Sequence, residues 1–198
     1  MAKPTWATVS PTSGSGNGNV SVGASVHTGR TQRSGNATFK ASGVSDVVRT
    51  ITQLAETEFV NIENVSAPKA GGNVTINGVS NSSKLTFSLG TGTITISLPG
   101  SYTAGGASTT NGAAIAGDPG ASAAFNFSIT VNVPANATTG AISKIIIVTT
   151  NGGQTASATI TQAAGDSVLT VSPSSITINP DGTAVTVTVT SNTNWTVE

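Results

Sequence analysis

Phe125-Asn126-Phe127-Ser128-Ile129-Thr130-Val131-Asn132-Val133 places an apolar side chain at every odd position and a small polar one at every even position. A strand sends successive side chains to opposite faces, so period two over this length reads as a strand with one face on a core and one in water. Its aromatic and β-branched residues suit a pleated, half-buried surface. The same alternation recurs further out, in Asn19-Val20-Ser21-Val22-Gly23-Ala24-Ser25-Val26 and in Ala184-Val185-Thr186-Val187-Thr188-Val189-Thr190. Turn-forming clusters separate such runs: residues 14–19, Gly71-Gly72-Asn73, residues 90–92, Asn151-Gly152-Gly153 and Asn179-Pro180-Asp181-Gly182. Many short strands at this spacing predict an all-β chain of the sandwich type.

Bulk composition narrows the functional classes. The chain has 198 residues, enough for one or two ordinary domains, with only 8% charged residues and 23 glycines. That balance suits β-rich surface, fibre and virion proteins better than a free enzyme. Net charge is zero, so no wholesale attraction to nucleic acid or to an acidic membrane is expected. Without cysteine there are no disulfides, thiolate metal sites or thiol nucleophiles. No run approaches the ~18 apolar residues of a membrane span. The opening Met1-Ala2-Lys3-Pro4-Thr5-Trp6 lacks the apolar centre of a signal peptide. The expectation is a protein made in a host cytoplasm and carried out in a virion. A mature chain that has lost its signal, at a cell surface or outside the cell, is the alternative.

The chain also repeats itself. Arg49-Thr50-Ile51-Thr52-Gln53-Leu54-Ala55 matches Ala158-Thr159-Ile160-Thr161-Gln162-Ala163-Ala164, and each follows a pair of turn-separated strands. Val9-Ser10-Pro11-Thr12-Ser13 likewise matches Val171-Ser172-Pro173-Ser174-Ser175. The repeats divide the chain into 1–55, 56–165 and 166–198. The middle block is long enough for a complete sandwich, whereas each flanking block is too short to bury a good core alone.

The terminal blocks resemble halves of one module of the BACON family of immunoglobulin-like domains. The C-terminal block carries the leading half: Leu169-Thr170-Val171-Ser172-Pro173, Gly182, the 184–190 run and Asn192-Thr193-Asn194-Trp195-Thr196-Val197. The N-terminal block carries the trailing half: Trp6-Ala7-Thr8-Val9-Ser10-Pro11-Thr12-Ser13-Gly14, then Arg33-Ser34-Gly35-Asn36-Ala37-Thr38, then Thr50-Ile51-Thr52-Gln53. Joining Glu198 to Met1 would set Trp195 and Trp6 nine positions apart, close to the hairpin separation that the resemblance implies. The fold expected is therefore tandem immunoglobulin-like β-sandwiches with one BACON-like module split between the termini. A chain that simply stops short is the competing account.

A split module would leave unpaired strand edges, and strand addition from another chain is a known way to fill them. Charge agrees. Lys3, Arg30, Arg33, Lys40 and Arg49 against Asp46 give residues 1–55 a charge of +4, whereas Asp166, Asp181 and Glu198 give residues 166–198 a charge of −3. The subunit-contact candidates are Trp6, Val9, Arg30, Arg33, Val171, Val185, Val187, Val189 and Trp195. Both tryptophans are expected to fill the core of the rejoined module.

No catalytic constellation stands out, and no cofactor is called for. His27 is read as a surface residue on a loop, and Glu56, Glu58 and Glu63 as a solvated linker rather than a calcium site. The Gly14-Ser15-Gly16-Asn17-Gly18 string precedes no helix, so it is no phosphate loop. Tyr102, in a predicted loop, is the glycan-contact candidate, and residues 105–124 read as one long loop. The expected function is structural and non-enzymatic: an auxiliary capsid (decoration) protein of a tailed phage, bound to copies of itself head to tail and to a major capsid or other virion protein. A carbohydrate- or mucin-binding module is the alternative of a different class, and a self-polymerising tube or fibre subunit is a variant.

Overall fold

The computed structural model describes residues 2–198, which contain fifteen strands and no helix. In chain order the first strands are β1 (Ala7–Ser10), β2 (Ser21–Ala24), β3 (Arg33–Phe39), β4 (Val47–Gln53) and β5 (Val60–Ile62). They are followed by β6 (Val65–Ala67), β7 (Gly72–Ser80), β8 (Leu85–Gly92), β9 (Ser101–Ala104) and β10 (Ala107–Thr110). The last are β11 (Phe125–Val133), β12 (Ile142–Thr150), β13 (Thr155–Gln162), β14 (Leu169–Ser172) and β15 (Thr188–Ser191). The all-β class expected from the alternation is what the chain adopts.

Two sheets enclose the main core. One has the order β10-β9-β11-β7-β5 and the other β6-β13-β12-β8. β11, the strand read first in the sequence, is central to the larger sheet and buries every odd residue from Phe125 to Val133. Ile76, Ile129 and Val131 from this sheet meet Leu85, Phe87, Ile146, Val148 and Ile160 from the other. β12 buries Ile146, Val148 and Thr150, while Ile145 and Ile147 on its outer face are half-covered, lying beside Gly90 of the neighbouring β8. All pairings are antiparallel except β6 with β13. Consecutive short strands β5 and β6 join different sheets, so one edge segment staples the two layers together.

Three two-stranded ribbons flank this sandwich: β1–β2, β3–β4 and β14–β15. The first two are tied together by Arg33 and Gln53, which both donate to Ser25 O, and of their apolar strand residues only Ala7, Val9 and Ala37 are buried. β14–β15 repeats the register of β1–β2. Val9 faces Val22 in one and Val171 faces Val189 in the other, and each first strand ends at a serine before proline. Proline has no N–H for the ladder, so pairing stops there in both copies.

Several sequence expectations are corrected. The 19–26 run forms a strand only over Ser21–Ala24, exposed at all four residues, because two flanking ribbons are too small to cover it. Only the end of the 184–190 run is in a strand, so Val185 and Val187 precede β15. Residues 105–124 are not all loop. β10 lies within them, joined to β9 by Gly105-Gly106, whose φ of 56° and 85° suits the tight turn whose twist matches two antiparallel strands.

Candidate assembly surfaces

The N-terminal ribbons are fixed to the sandwich by a buried polar hub. Asn81, just after β7, is fully buried. Its Nδ2 donates to Thr28 O and Thr57 O, both at 3.0 Å, and its Oδ1 accepts from Phe59 N at 2.9 Å. Arg30 donates through Nε to Asn81 O and through its guanidinium to Asp118. Thr31 N donates to Ala121 O at 2.8 Å, and Ala124 N to Thr28 Oγ1 at 2.8 Å. Backbones come so close that a Cβ on Gly29 would lie 2.3 Å from Ser122 C, and one on Gly120 2.2 Å from Asn81 O. The loop after β10 thus does carry contacts, to its own chain.

This hub removes several residues from the set of free surfaces. Arg30, expected at a subunit contact, is spent on Asp118 and Asn81. Arg33 is likewise intramolecular: its Nε donates to Gln53 Oε1 at 2.9 Å and its guanidinium lies 4.8 Å over the Trp6 ring. Val9 is buried at 6% exposure. Trp6 is half-buried in the turn before β1, not in a core. His27 is on a loop but buried, its Nε2 2.7 Å from Thr31 O, and not a surface residue. Glu58 accepts from Gly152 N and, at 3.3 Å, from Thr150 Oγ1, so the glutamate linker is docked rather than fully solvated. Among the described residues no group of three His, Asp or Glu side chains is placed to hold a metal ion.

Tyr102 changes role altogether. It sits on β9, 4% exposed, with its ring edge-on to Phe87 at 4.9 Å between centroids. Its hydroxyl is buried without a hydrogen bond of normal geometry. Burial pushes its pKa above the ordinary 10.0, partly opposed by the nearby Leu85 backbone. A residue so placed cannot stack on a sugar.

The C-terminal hairpin presents the opposite picture. Residues facing each other across β14–β15 share a side, so Leu169, Val171 and Val189 form one apolar face and Thr170, Ser172, Thr188 and Thr190 the other. That apolar face is open: Leu169 is 59% and Val171 52% exposed. Ile176, Ile178, Val185 and Trp195 of the same terminal segment are exposed too, while Val187 and Val189 are partly covered. The hairpin is held to the sandwich at its root. Lys69 bridges Asp166 at 2.6 Å, and Asn192 Nδ2 donates to Asp166 O at 2.9 Å and to Ala137 O at 3.1 Å.

Exposure across the described residues is therefore partitioned. Apart from Leu89, every exposed large apolar side chain lies within 20–54 or 168–197, while the sandwich between them is closed. The two open regions lie at opposite ends of the sandwich. The N-terminal hub meets the Ser80 end of β7, and the C-terminal root meets the Gly72 end, where Gly71 packs on Val133 and Pro134. Nine residues of strand separate these ends by about 27 Å.

No family model and no curated protein matches the chain. Among solved structures it is similar to an endo-fucoidan hydrolase of glycoside hydrolase family 107, at 11% identity and a TM-score of 0.34 over 82% of this chain and 22% of that one. It is similar also to domains 4–9 of the surface layer protein SbsC, at 15% identity and a TM-score of 0.33 over 87% of this chain and 25% of that one. The chain spans about a quarter of the length of these structures.

Proposed function

We propose that this chain is a non-enzymatic structural protein of tandem immunoglobulin-like modules that assembles head to tail, the C-terminal hairpin of one copy completing the N-terminal block of the next. The observation that carries the reading is the partition of exposure: open apolar faces at both ends, and a closed sandwich between them. Contiguous apolar surface of this kind marks interaction sites. The exchange of the β5–β6 segment between sheets supports the immunoglobulin-like description of the middle block, residues 56–165. The separation of the two open ends favours a join between chains over a fold-back within one. The resemblance of residues 1–55 and 166–198 to halves of one BACON-like module supports the same join.

The setting proposed with it is a virion surface, as an auxiliary capsid or decoration protein contacting a major capsid protein, and it rests on the sequence resemblance and the low charge. Burial of Tyr102 takes that glycan-contact candidate out of reach.

Light-scattering mass of the purified chain, compared with the Val171→Asp, Val189→Asp double variant, tests the assembly. We expect a series of multiples of the subunit mass that collapses to the monomer in the variant. A monomer at high concentration for the unaltered chain would refute head-to-tail assembly.

A further inference from the structure

The two hairpins that share a register differ in what lies over them. Ala7 and Val9, on the apolar side of β1, are buried, whereas Leu169 and Val171, on the matching side of β14, are more than half exposed. The β3–β4 ribbon is itself only half used. Residues 33, 35, 37 and 39 share one side of β3, and Val47 shares it from across the ribbon, opposite Phe39. At one end of this side Gly35 lies against Pro4, a Cβ there being 2.5 Å from Pro4 Cγ, and Ala37 is 1% exposed. At the other end Phe39 is only partly covered and Val47 is 45% exposed. A cavity of about 300 Å³ opens there between Phe39, Lys40 and the glycine-rich loop from Pro11 to Val20.

We infer that this uncovered Phe39–Val47 end of β3–β4 is the seat of the C-terminal hairpin of a second copy, whose Leu169, Val171 and Val189 side lies over it. The inference deepens the assembly reading and rests on it. The occupant is argued from three observations. The donor hairpin has the register of β1–β2, which is already joined to the same ribbon through Ser25 and Trp6. Charge is complementary: Lys3 and Arg49 on the acceptor, and Asp181 on the donor, meet no oppositely charged side chain within the described residues. The donor of the same chain is rooted at the far end of the sandwich, so the seat is filled by another copy.

The chain has no cysteine, so introduced thiols report single contacts. Val47→Cys chains are mixed with Val171→Cys chains under mild oxidation, with light scattering of each mixture in parallel. We expect a disulfide-linked heterodimer for this pair and none for Val48→Cys with Val171→Cys, because Val48 lies on the opposite side of the ribbon. Linking through Val48, or no linking while the mixture still assembles, would overturn the seat and leave head-to-tail assembly standing. Loss of assembly in the unaltered chain would overturn both.

Discussion

Tyr102 shows how one residue reverses a functional expectation. Sequence alone places it among glycines and serines, which reads as a loop with an accessible ring. The Gly105-Gly106 turn instead folds that stretch into a hairpin, and alternation along β9 then points Tyr102 inward. Its buried hydroxyl makes no hydrogen bond of normal geometry, which costs about 1 kcal/mol. Tyr102→Phe is therefore expected to raise stability at pH 7 by about 1 kcal/mol in urea unfolding. The pH dependence follows from the raised pKa. Above pH 10.0 the unfolded tyrosine ionises while the buried one keeps its proton, so the folded state binds more protons and stability falls as pH rises. The stability attached to this group is complete below pH 10.0, and the phenylalanine variant should show a shallower alkaline decline. Equal declines in both proteins would show that Tyr102 is not responsible. Asn81 is the converse case. Nothing in Ser80-Asn81-Ser82 marks it in the sequence, because its role depends on Thr28, Thr57 and Phe59 meeting around it only after folding.

Among the elements, those with enough length and neighbours were legible and those without were not. β11 alternates in sequence and in burial because partners on both edges and a sheet opposite enforce its register. The 19–26 and 184–190 runs alternate equally well in sequence, yet short ribbons with no sheet opposite leave none of their apolar side chains fully buried. Periodicity reports what a strand is suited to bury, not whether a partner is present. The matching stretches 49–55 and 158–164 overlap β4 and β13, each paired antiparallel with the strand before it. The contact candidates divided by element: those on or beside β1 and β3 turned inward, and Val171, Val185 and Trp195 stayed open. A paired substitution measures the contrast. Ile146→Ala in β12, where Ile146 is fully buried, should cost about 3 kcal/mol. Val171→Ala in β14 should cost well under 1 kcal/mol in dilute solution, where Val171 is largely solvated. Similar losses for both would mean that the hairpin face is covered in the monomer.

For the molecule as a whole, stability is concentrated in the sandwich and should grade outward. Amides of β7, β11, β12 and β13 are expected to exchange only with global opening, those of β14–β15 through local opening many-fold faster, and those of β1–β4 in between, held by the Asn81 hub. Hydrogen exchange in dilute and concentrated solution tests this. Concentration should slow exchange in β14–β15 and β3–β4 together and leave β11 unchanged; slowing in one terminal region without the other would contradict a shared contact. The placement of those regions at opposite ends of β7 has a further consequence. A linear array of such subunits has polarity: one tip offers an empty seat and the other a hairpin with nowhere to go. A chain deprived of its hairpin can still be seated upon by its neighbour's, but can donate to none, so it acts as a stopper. Added in trace amounts, it should shorten every array in proportion to its share of the chains, as a monofunctional monomer limits the length of a condensation polymer.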